Sequence, residues 1–342
     1  MQRPVMNPMY LEEEPAPLTR ARRGVWKRLG GLFGRLWRIA TFDVLFWRRR
    51  NFSVAVEDCS RFQKALRGLT YRLVILPILT LGLLFALVVI ATHPKRSSPA
   101  ADPSTLGLYF EPVSFASGDG VKLDGWLVPL IDERIVLDER EEVLRRKNPA
   151  VVLVHDYGYS RSQVCGLLRP LHDAGFVVLA LCTRGAGSSG GSAQTFGLKE
   201  ALDVQAAVEL LRRRPYVDET RIAVAGIGCG ANAALVASWR DKRIAALVLD
   251  SPITDPRELF SAYVGPRQDW LEFMRPWTQW TFQVCYRVDL TDLELAADSR
   301  ELLRRPLLRL GDGVGLLSHA GQVQSIDFLR RHLAAAQTAS AH

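Results

Sequence analysis

The sequence predicts an α/β protein in which a mostly parallel sheet has helices on both faces and is preceded by one transmembrane helix. From about residue 108 onward, short and fully apolar runs alternate with amphipathic stretches, which is typical of parallel strands covered on both faces. Before them, residues 73–92 (LVILPILTLGLLFALVVIAT) are 20 residues without a charge. Together these two observations indicate a membrane anchor followed by a globular domain.

The positive charge of the chain lies near its start. The net charge is +8, and residues 1–72 hold 15 Lys and Arg against 6 Asp and Glu. The rest of the chain is close to neutral, which argues against a nucleic-acid partner and favours a basic arm beside an anionic bilayer surface. In this arm Trp26, Leu29, Phe33 and Leu36 would share one helical face, as in a helix lying on a membrane. A helix packed on a partner is the alternative.

A helix over residues 73–92 would just cross the ~30 Å hydrocarbon core of a bilayer. A buried core helix is the alternative, although few soluble helices are apolar all round. The excess of basic residues before the run predicts a cytoplasmic N-terminus and a domain on the outer, periplasmic or extracytoplasmic side. The flanking basic residues are Arg61, Lys64, Arg67 and Arg72 before the run, and Lys95 and Arg96 after it.

The segment at 93–107 (HPKRSSPAADPSTLG) is rich in Pro and Ser and predicts a linker, so that the α/β domain would occupy residues 108–342. Within that domain FEPVSF and VKLDGWLVPL predict an antiparallel pair. Parallel strands are predicted at AVVLVHD, GFVVLAL, RIAVAG and IAALVLD. Helices are predicted near 161–174, 198–213 and 230–239, and a lid region at about 256–300.

Five motifs follow one another in the domain: VVLVHDYGYSRSQ, TRGAGSSGG, VDETRIAVAGIGCGANAAL, LVLDSPITD and LLRRPLLRLGD. In this order and spacing the chain resembles the α/β-hydrolase superfamily, particularly its esterase and serine-aminopeptidase-like branch. The resemblance implies a sharp nucleophile turn bounded by Gly226 and Gly230, a catalytic acid and a histidine. It also implies an oxyanion hole at His155, Asp156, Tyr157 and Cys229.

The catalytic positions depart from the family pattern. Gly228 stands where the resemblance puts the nucleophilic serine, so this position offers no hydroxyl. Cys229 is a weak substitute, because centring the turn on it would put the bulky Ile227 where a small residue is needed. Val314 stands at the acid position, and Asp312 could replace it only in a rebuilt turn.

The histidine and the oxyanion hole depart as well. His319 could serve as the base only if the domain is C-terminally shortened and lacks the family's intervening helix and strand. Asp156 stands where the family usually has glycine, and a carboxylate there would repel a developing oxyanion. We expect Asp156 to cap a backbone group or to pair locally, with Arg161 and Arg184 as candidate partners.

The lid region and the cysteines complete the candidate site. An apolar lid over the old pocket suits an acyl chain, a small hydrophobic ligand or a protein partner, with core packing as the alternative. No metal site and no cofactor are predicted from the five cysteines, and a disulfide between Cys165 and Cys182 stays open. The lid side chains at near-helical spacing are Trp270, Phe273, Trp277 and Trp280.

The sequence therefore predicts a membrane-anchored, catalytically inactive pseudohydrolase that acts by binding a ligand or a protein. One alternative is an active serine- or cysteine-type hydrolase, such as an esterase, lipase or peptidase, with a rearranged site. A further alternative is a membrane scaffold that works through its basic N-terminal arm.

Overall fold

The computed structural model divides into two compact units, residues 1–87 with 260–273 and residues 88–259 with 274–342. Most of the basic arm (residues 1–68 and 70), Trp270, Phe273 and Asp312 lie outside the described residues. The described residues are 69, 71–97, 102–130, 147–255, 258–259, 275–311 and 314–334.

The apolar run forms a continuous helix. A π-helical turn at Tyr71–Ile75 leads into helix α1, Leu76–Thr92. The helical segment Tyr71–Thr92 has 22 residues. Its most apolar stretch of 18 residues has a mean hydropathy of 3.0, and 11% of that stretch is buried. Among the described residues this is the one helix that is long and apolar enough to cross a membrane, by length and composition only.

In the second unit, seven strands form one mixed sheet in the order β1-β2-β4-β3-β5-β6-β7. β1 is antiparallel to β2, and β2 is antiparallel to β4, whereas the remaining neighbours are parallel. The predicted opening antiparallel pair and the mostly parallel sheet are therefore confirmed. The strands are β1 Glu111–Ala116, β2 Lys122–Val128, β3 Asn148–Val154, β4 Val177–Cys182, β5 Val217–Ile227, β6 Ala246–Asp250 and β7 Leu307–Leu310.

Seven further helices lie in the described part of this unit: α2 Cys165–Asp173, α3 Glu200–Arg212, α4 Cys229–Arg240, α5 Arg275–Tyr286, α6 Thr291–Ala297, α7 Arg300–Leu303 and α8 His319–Ala334. Short 3₁₀ turns stand at Pro103–Leu106 and Arg161–Val164. The helices pack around the sheet in two groups, because α3 contacts α4 whereas α2 contacts α8. The three predicted helices of the domain correspond to α2, α3 and α4, within a few residues at each end.

The central strands are buried on both faces. Val151 and Leu153 of β3 belong to the apolar cluster that includes α2 and α8, and the intervening Val152 and Val154 are also fully buried. A strand covered on both sides has no polar face, which is why these strands read as unbroken apolar runs. The sheet therefore holds its C-terminal edge, where the loops of the candidate site begin, in a fixed position.

A largely buried ion cluster ties two of those loops to helix α3. Arg184, in the loop after β4, donates to Asp203 of α3 at 2.6 Å and to Asp119 in the β1–β2 turn at 2.6 Å. It also donates to the Ser117 hydroxyl at 3.0 Å. Hydrogen bonding to Arg184 lowers the pKa of Asp119.

Replacing Asp203 with Ala should lower the free energy of unfolding by about 3–5 kcal/mol, because it leaves the buried Arg184 cation without a fully buried partner. Urea unfolding of the chain in detergent micelles measures this. Arg169→Ala removes an exposed ion pair with Asp173 and should cost under about 1 kcal/mol. Similar losses in the two variants would contradict the structural role given to Arg184.

Candidate functional site: a closed hydrolase elbow

The strand–turn–helix at residues 226–230, here called the elbow, keeps a strained backbone. β5 ends at Ile227, α4 begins at Cys229, and Gly228 between them has φ +53° and ψ −116°. This is a left-handed conformation that side-chain-bearing residues rarely adopt. The Gly228 N–H donates to the Asp250 carbonyl at 2.9 Å. The elbow geometry is therefore present although its apex carries no side chain.

Close backbone crossings explain the two flanking glycines. A Cβ at Gly226 would overlap the backbone of Gly230, and a Cβ at Gly230 would overlap the backbone of His155. The strand, the turn and the helix can meet only when both positions lack a side chain. These glycines position the start of α4 directly beside the loop that follows β3.

The carboxylate of Asp156 fills the space at the apex. Its Oδ1 atom accepts from the Tyr157 N–H at 2.7 Å and from the Cys229 N–H at 2.8 Å. A Cβ built on Gly228 would overlap this carboxylate, with Oδ2 at 2.8 Å. The carboxylate therefore lies where a nucleophile side chain would begin.

Those two N–H groups are the ones that form an oxyanion hole in a hydrolase of this architecture: one from the residue after the nucleophile and one from the loop after β3. Here a single carboxylate oxygen accepts from both of them. The second donor also stands at the N-terminus of α4, where backbone N–H groups favour a negative charge. The hole is thus occupied by an anion that belongs to the protein itself.

The rest of the loop at 155–160 is fixed by further hydrogen bonds. The Asp156 N–H donates to Gln163 Oε1 at 2.7 Å, and the Gly158 N–H donates to Gln194 Oε1 at 2.9 Å. Arg184, predicted as a possible partner of Asp156, instead holds Asp203 and Asp119. The described bonds to the Asp156 carboxylate come from backbone donors.

His155 is held as a neutral group. Its Nδ1 lies 2.8 Å from the Asp156 carbonyl, which can only accept, so Nδ1 carries the proton. Its Nε2 accepts from the Thr183 N–H at 3.2 Å. Burial lowers the pKa of this imidazole to about 4. Both ring nitrogens are engaged with the scaffold, so the imidazole is a structural group beside the elbow.

Within the described part of the chain, no hydrogen bond joins the other predicted catalytic residues to one another. His319 is exposed at the first position of α8, and no hydrogen bond in the described part of the chain joins it to Asp156 or Cys229. Val314 lies in a tight turn closed by its N–H to the Gly311 carbonyl at 3.1 Å. The Cys229 side chain is buried at the start of α4.

One carboxylate near the elbow was missed from the sequence. Asp250, at the end of β6, accepts from the Leu316 N–H at 2.7 Å and from the Ser251 hydroxyl at 2.9 Å. It fixes the turn after β7 against β6. Its place at the end of an apolar strand, in LVLDS, was the available signal.

Aromatic side chains fill the space around the elbow. Tyr157, Phe196, Phe282 and Tyr286 form a row, here called the aromatic row, with successive ring centroids 5.3, 5.8 and 5.5 Å apart. Phe196 is buried with φ +57°. The cavity that remains has room for about one water molecule. It is lined by His155, Asp156, Tyr157, Thr183, Gln194, Phe196, Gly197, Glu200, Cys229 and Gly230.

The end of α1 is bonded to the same loops. The Tyr157 hydroxyl donates to the Ala91 carbonyl, and the Gln194 N–H donates to the Thr92 carbonyl at 2.7 Å. The Thr92 and Tyr286 hydroxyls are 2.5 Å apart. Carbonyls at a helix C-terminus have no partner within the helix, so the domain supplies their donors.

The predicted linker is also bonded to the domain in part. The Arg96 guanidinium donates to the Ser189 carbonyl at 3.1 Å and to the Gly191 carbonyl. His93 Nε2 lies 3.2 Å from the Ser192 hydroxyl. These contacts fix the segment after α1 to the loop after β4.

The two cysteines for which a disulfide was left open do not pair with each other. Cys165 and Cys182 are separate thiols, and burial raises the pKa of Cys165 to about 11. Within the described residues no group of three or more His, Cys, Asp or Glu side chains could hold a metal ion.

The strand order, the elbow and the loop after β3 define an α/β-hydrolase fold. The family described as X-Pro dipeptidyl-peptidase (S15 family) matches residues 134–290, somewhat under half of the chain. The polyketide transferase GrgF of a Penicillium species is 26% identical over 146 residues, which cover 42% of this chain and 45% of that protein. An uncharacterized protein of Mycobacterium tuberculosis is 34% identical over 141 residues, which cover 41% of this chain and 45% of that protein.

The chain therefore spans under half the length of these curated relatives. Among solved structures, the esterase Pf2001 of Pyrococcus furiosus is 23% identical and covers 70% of this chain and 99% of its own, with a TM-score of 0.49. The sheet order and the sequence matches place the domain in the α/β-hydrolase superfamily, as the resemblance predicted.

The neutral state of His155 predicts a pH dependence of stability. The unfolded imidazole titrates near pH 6.5 and the folded one near pH 4, so the unfolded chain binds more protons between these values. Stability is then complete above about pH 6.5 and is lost as the pH falls towards 4. From pH 7 to pH 5 this group should lower the free energy of unfolding by about 2 kcal/mol.

Urea unfolding at both pH values, in wild type and His155→Gln, measures this contribution. The difference between pH 7 and pH 5 should shrink by about that amount in His155→Gln. It should stay unchanged in His332→Gln, which alters an exposed imidazole on α8. An unchanged difference in His155→Gln would show that His155 is protonated in the folded chain at pH 5.

Proposed function

We propose that this chain is a membrane-anchored pseudohydrolase, which keeps the α/β-hydrolase scaffold and acts by binding rather than by turnover. The observation that carries the proposal is the Asp156 carboxylate bonded to the N–H groups of Tyr157 and Cys229, beside an apex that is glycine. The nucleophile position that lacks a side chain, Gly228, and the oxyanion hole occupied by Asp156 are parts of one arrangement.

Each step of ester or amide hydrolysis lacks a group at this elbow. Gly228 has no hydroxyl to attack a carbonyl carbon. An oxyanion formed there would need the Tyr157 and Cys229 N–H groups, which the carboxylate already uses, and would meet its negative charge. His155, the imidazole beside the elbow, is not available to take the proton of a nucleophile, because both of its ring nitrogens are bonded to backbone groups.

The same geometry bears on what the domain binds. Among the described residues, the space left at the elbow takes about one water molecule and is lined by Tyr157 and Phe196 of the aromatic row. A ligand pocket for a drug-sized molecule needs ~300 Å³ or more. The packing therefore favours a protein or a membrane surface over a small hydrophobic ligand as the partner.

An active hydrolase or acyltransferase is the second candidate, favoured by the descriptions of the matching relatives as a dipeptidyl-peptidase family and a polyketide transferase. In that case a nucleophile and a base would have to come from elsewhere on the chain. Cys229 and His319 are the residues to test, because the sequence offers them as substitutes.

A fluorophosphonate probe and p-nitrophenyl ester hydrolysis test both candidates on the full chain. The proposal predicts no labelling and no turnover in wild type. Gly228→Ser should stay inactive and lose stability, because its Cβ overlaps the Asp156 carboxylate. Gly228→Ser combined with Asp156→Gly should regain stability relative to Gly228→Ser, since the overlap is removed. It should still show no turnover, since the one imidazole beside the elbow among the described residues, His155, has both ring nitrogens engaged.

The outcomes separate the candidates. Wild-type turnover that disappears in both Cys229→Ala and His319→Ala would establish a relocated site and refute the pseudohydrolase. Turnover gained in the double variant would show that a functional base is present and that only the nucleophile and the hole were lost. A working triad adds about 10⁶-fold in rate, so the distinction does not depend on trace activity.

Membrane anchoring is the second part of the proposal. The helix Tyr71–Thr92 supports it by length and composition, and the basic residues before it favour a cytoplasmic arm with the domain outside. Protease added to intact cells should then digest the domain and spare an arm epitope. Full-length chain in the soluble fraction after gentle lysis would contradict anchoring, and digestion of the arm instead would reverse the orientation.

A further inference from the structure

Helix α5 has one exposed face that is apolar and aromatic. Trp277, Trp280 and Val284 are 49%, 52% and 60% exposed. They stand at positions i, i+3 and i+7, which lie on one side of a helix. We call these three residues the exposed α5 face.

The opposite side of α5 is fixed to the domain. Phe282, which lies on that side, is fully buried between Phe196 and Tyr286 in the aromatic row. The orientation of the helix about its axis is therefore set by packing, and the two indole rings on the exposed α5 face are held away from the domain core.

The end of α5 lies beside the last residue of the apolar run. The Tyr286 hydroxyl is 2.5 Å from that of Thr92, at the C-terminus of α1. If Tyr71–Thr92 spans a bilayer, Thr92 stands where the hydrocarbon core gives way to the headgroups. The C-terminal end of α5, at Tyr286, then lies at that depth.

We propose that the exposed α5 face inserts into the interfacial layer of the bilayer that holds α1. This inference rests on the membrane anchoring proposed above. Trp is enriched at this depth, because its ring is apolar while its N–H finds polar partners there. Residues 275–286 (RPWTQWTFQVCY) contain no acidic side chain, so nothing on the helix itself opposes an anionic surface.

Contact with lipid would give the domain a second attachment besides α1. The aromatic row joins α5 to the loop that closes the elbow, and the Tyr157 hydroxyl joins that loop to the end of α1. The closed edge of the sheet is then held at the membrane surface.

Tryptophan fluorescence of the full chain in vesicles containing brominated lipids tests the inference, because bromine quenches only indoles in contact with acyl chains or the interface. Trp277→Gln with Trp280→Gln removes two of the eight tryptophans. The bromine-quenched share of the emission should fall in this double variant. Lipids brominated near the headgroup should show a larger change than lipids brominated near the chain ends.

Trp239→Gln is the matched control, because Trp239 follows a buried stretch of α4 and its ring lies beside Arg240. Removing Trp239 should remove emission that bromine does not quench, so the bromine-quenched share of the remaining emission should rise. Iodide, which quenches from water, should lose little of its effect in the α5 double variant. A second control, Leu295→Gln, changes an equally exposed residue on α6 and should leave every value unchanged.

Flotation of the vesicles separates the two proposals. Wild type that does not float with the lipid would refute anchoring. The lipid contact alone would be refuted by a different result, in which wild type floats with the vesicles. In that result the α5 double variant keeps or raises the bromine-quenched share of the emission and loses emission that iodide can quench. That last result would leave the exposed α5 face as a surface for a protein.

Discussion

The structure of the site depends on one carboxylate oxygen. Asp156 Oδ1 accepts from the N–H groups of two residues that are 72 positions apart, Tyr157 and Cys229. It thereby joins the loop after β3 to the start of α4 at the point where a substrate oxyanion would form. Because Gly228 has no side chain, the carboxylate has room to lie there. The two substitutions are complementary, since a serine at 228 and a carboxylate at 156 would compete for the same space.

Tyr157 connects this interaction to the helix that precedes the domain. Its N–H faces the Asp156 carboxylate and its hydroxyl donates to the Ala91 carbonyl near the end of α1. The same ring begins the aromatic row that ends at Tyr286, which in turn contacts Thr92. The closed elbow, the aromatic row and the end of α1 therefore form one continuous set of contacts within residues 88–286.

The fold could be predicted because a strand that is covered on both faces consists of an unbroken apolar run, and such runs, for example AVVLVHD, are visible in the sequence. Gly226 and Gly230 marked the elbow, since only glycine fits the crossing. The role of Asp156 could not be derived in the same way. The sequence predicted that Asp156 would cap a backbone group or pair locally with an arginine, without saying which. The described hydrogen bonds to its carboxylate come from backbone N–H groups, whose proximity depends on how β3 and β5 pair. Asp250 was missed for a similar reason, because its partner Leu316 follows β7, the next strand of the sheet.

The central claim is that one carboxylate occupies both donors of the oxyanion hole, and amide NMR tests it most directly. Selective ¹⁵N labelling of Tyr and Cys leaves 8 and 5 backbone amides to follow. We expect the amide protons of Tyr157 and Cys229 to lie downfield, and both to move upfield in Asp156→Ala while the amide of Cys165 stays in place. Cys229 is decisive, because it is far from residue 156 in sequence. A Cys229 amide proton that does not respond to Asp156→Ala would contradict the account.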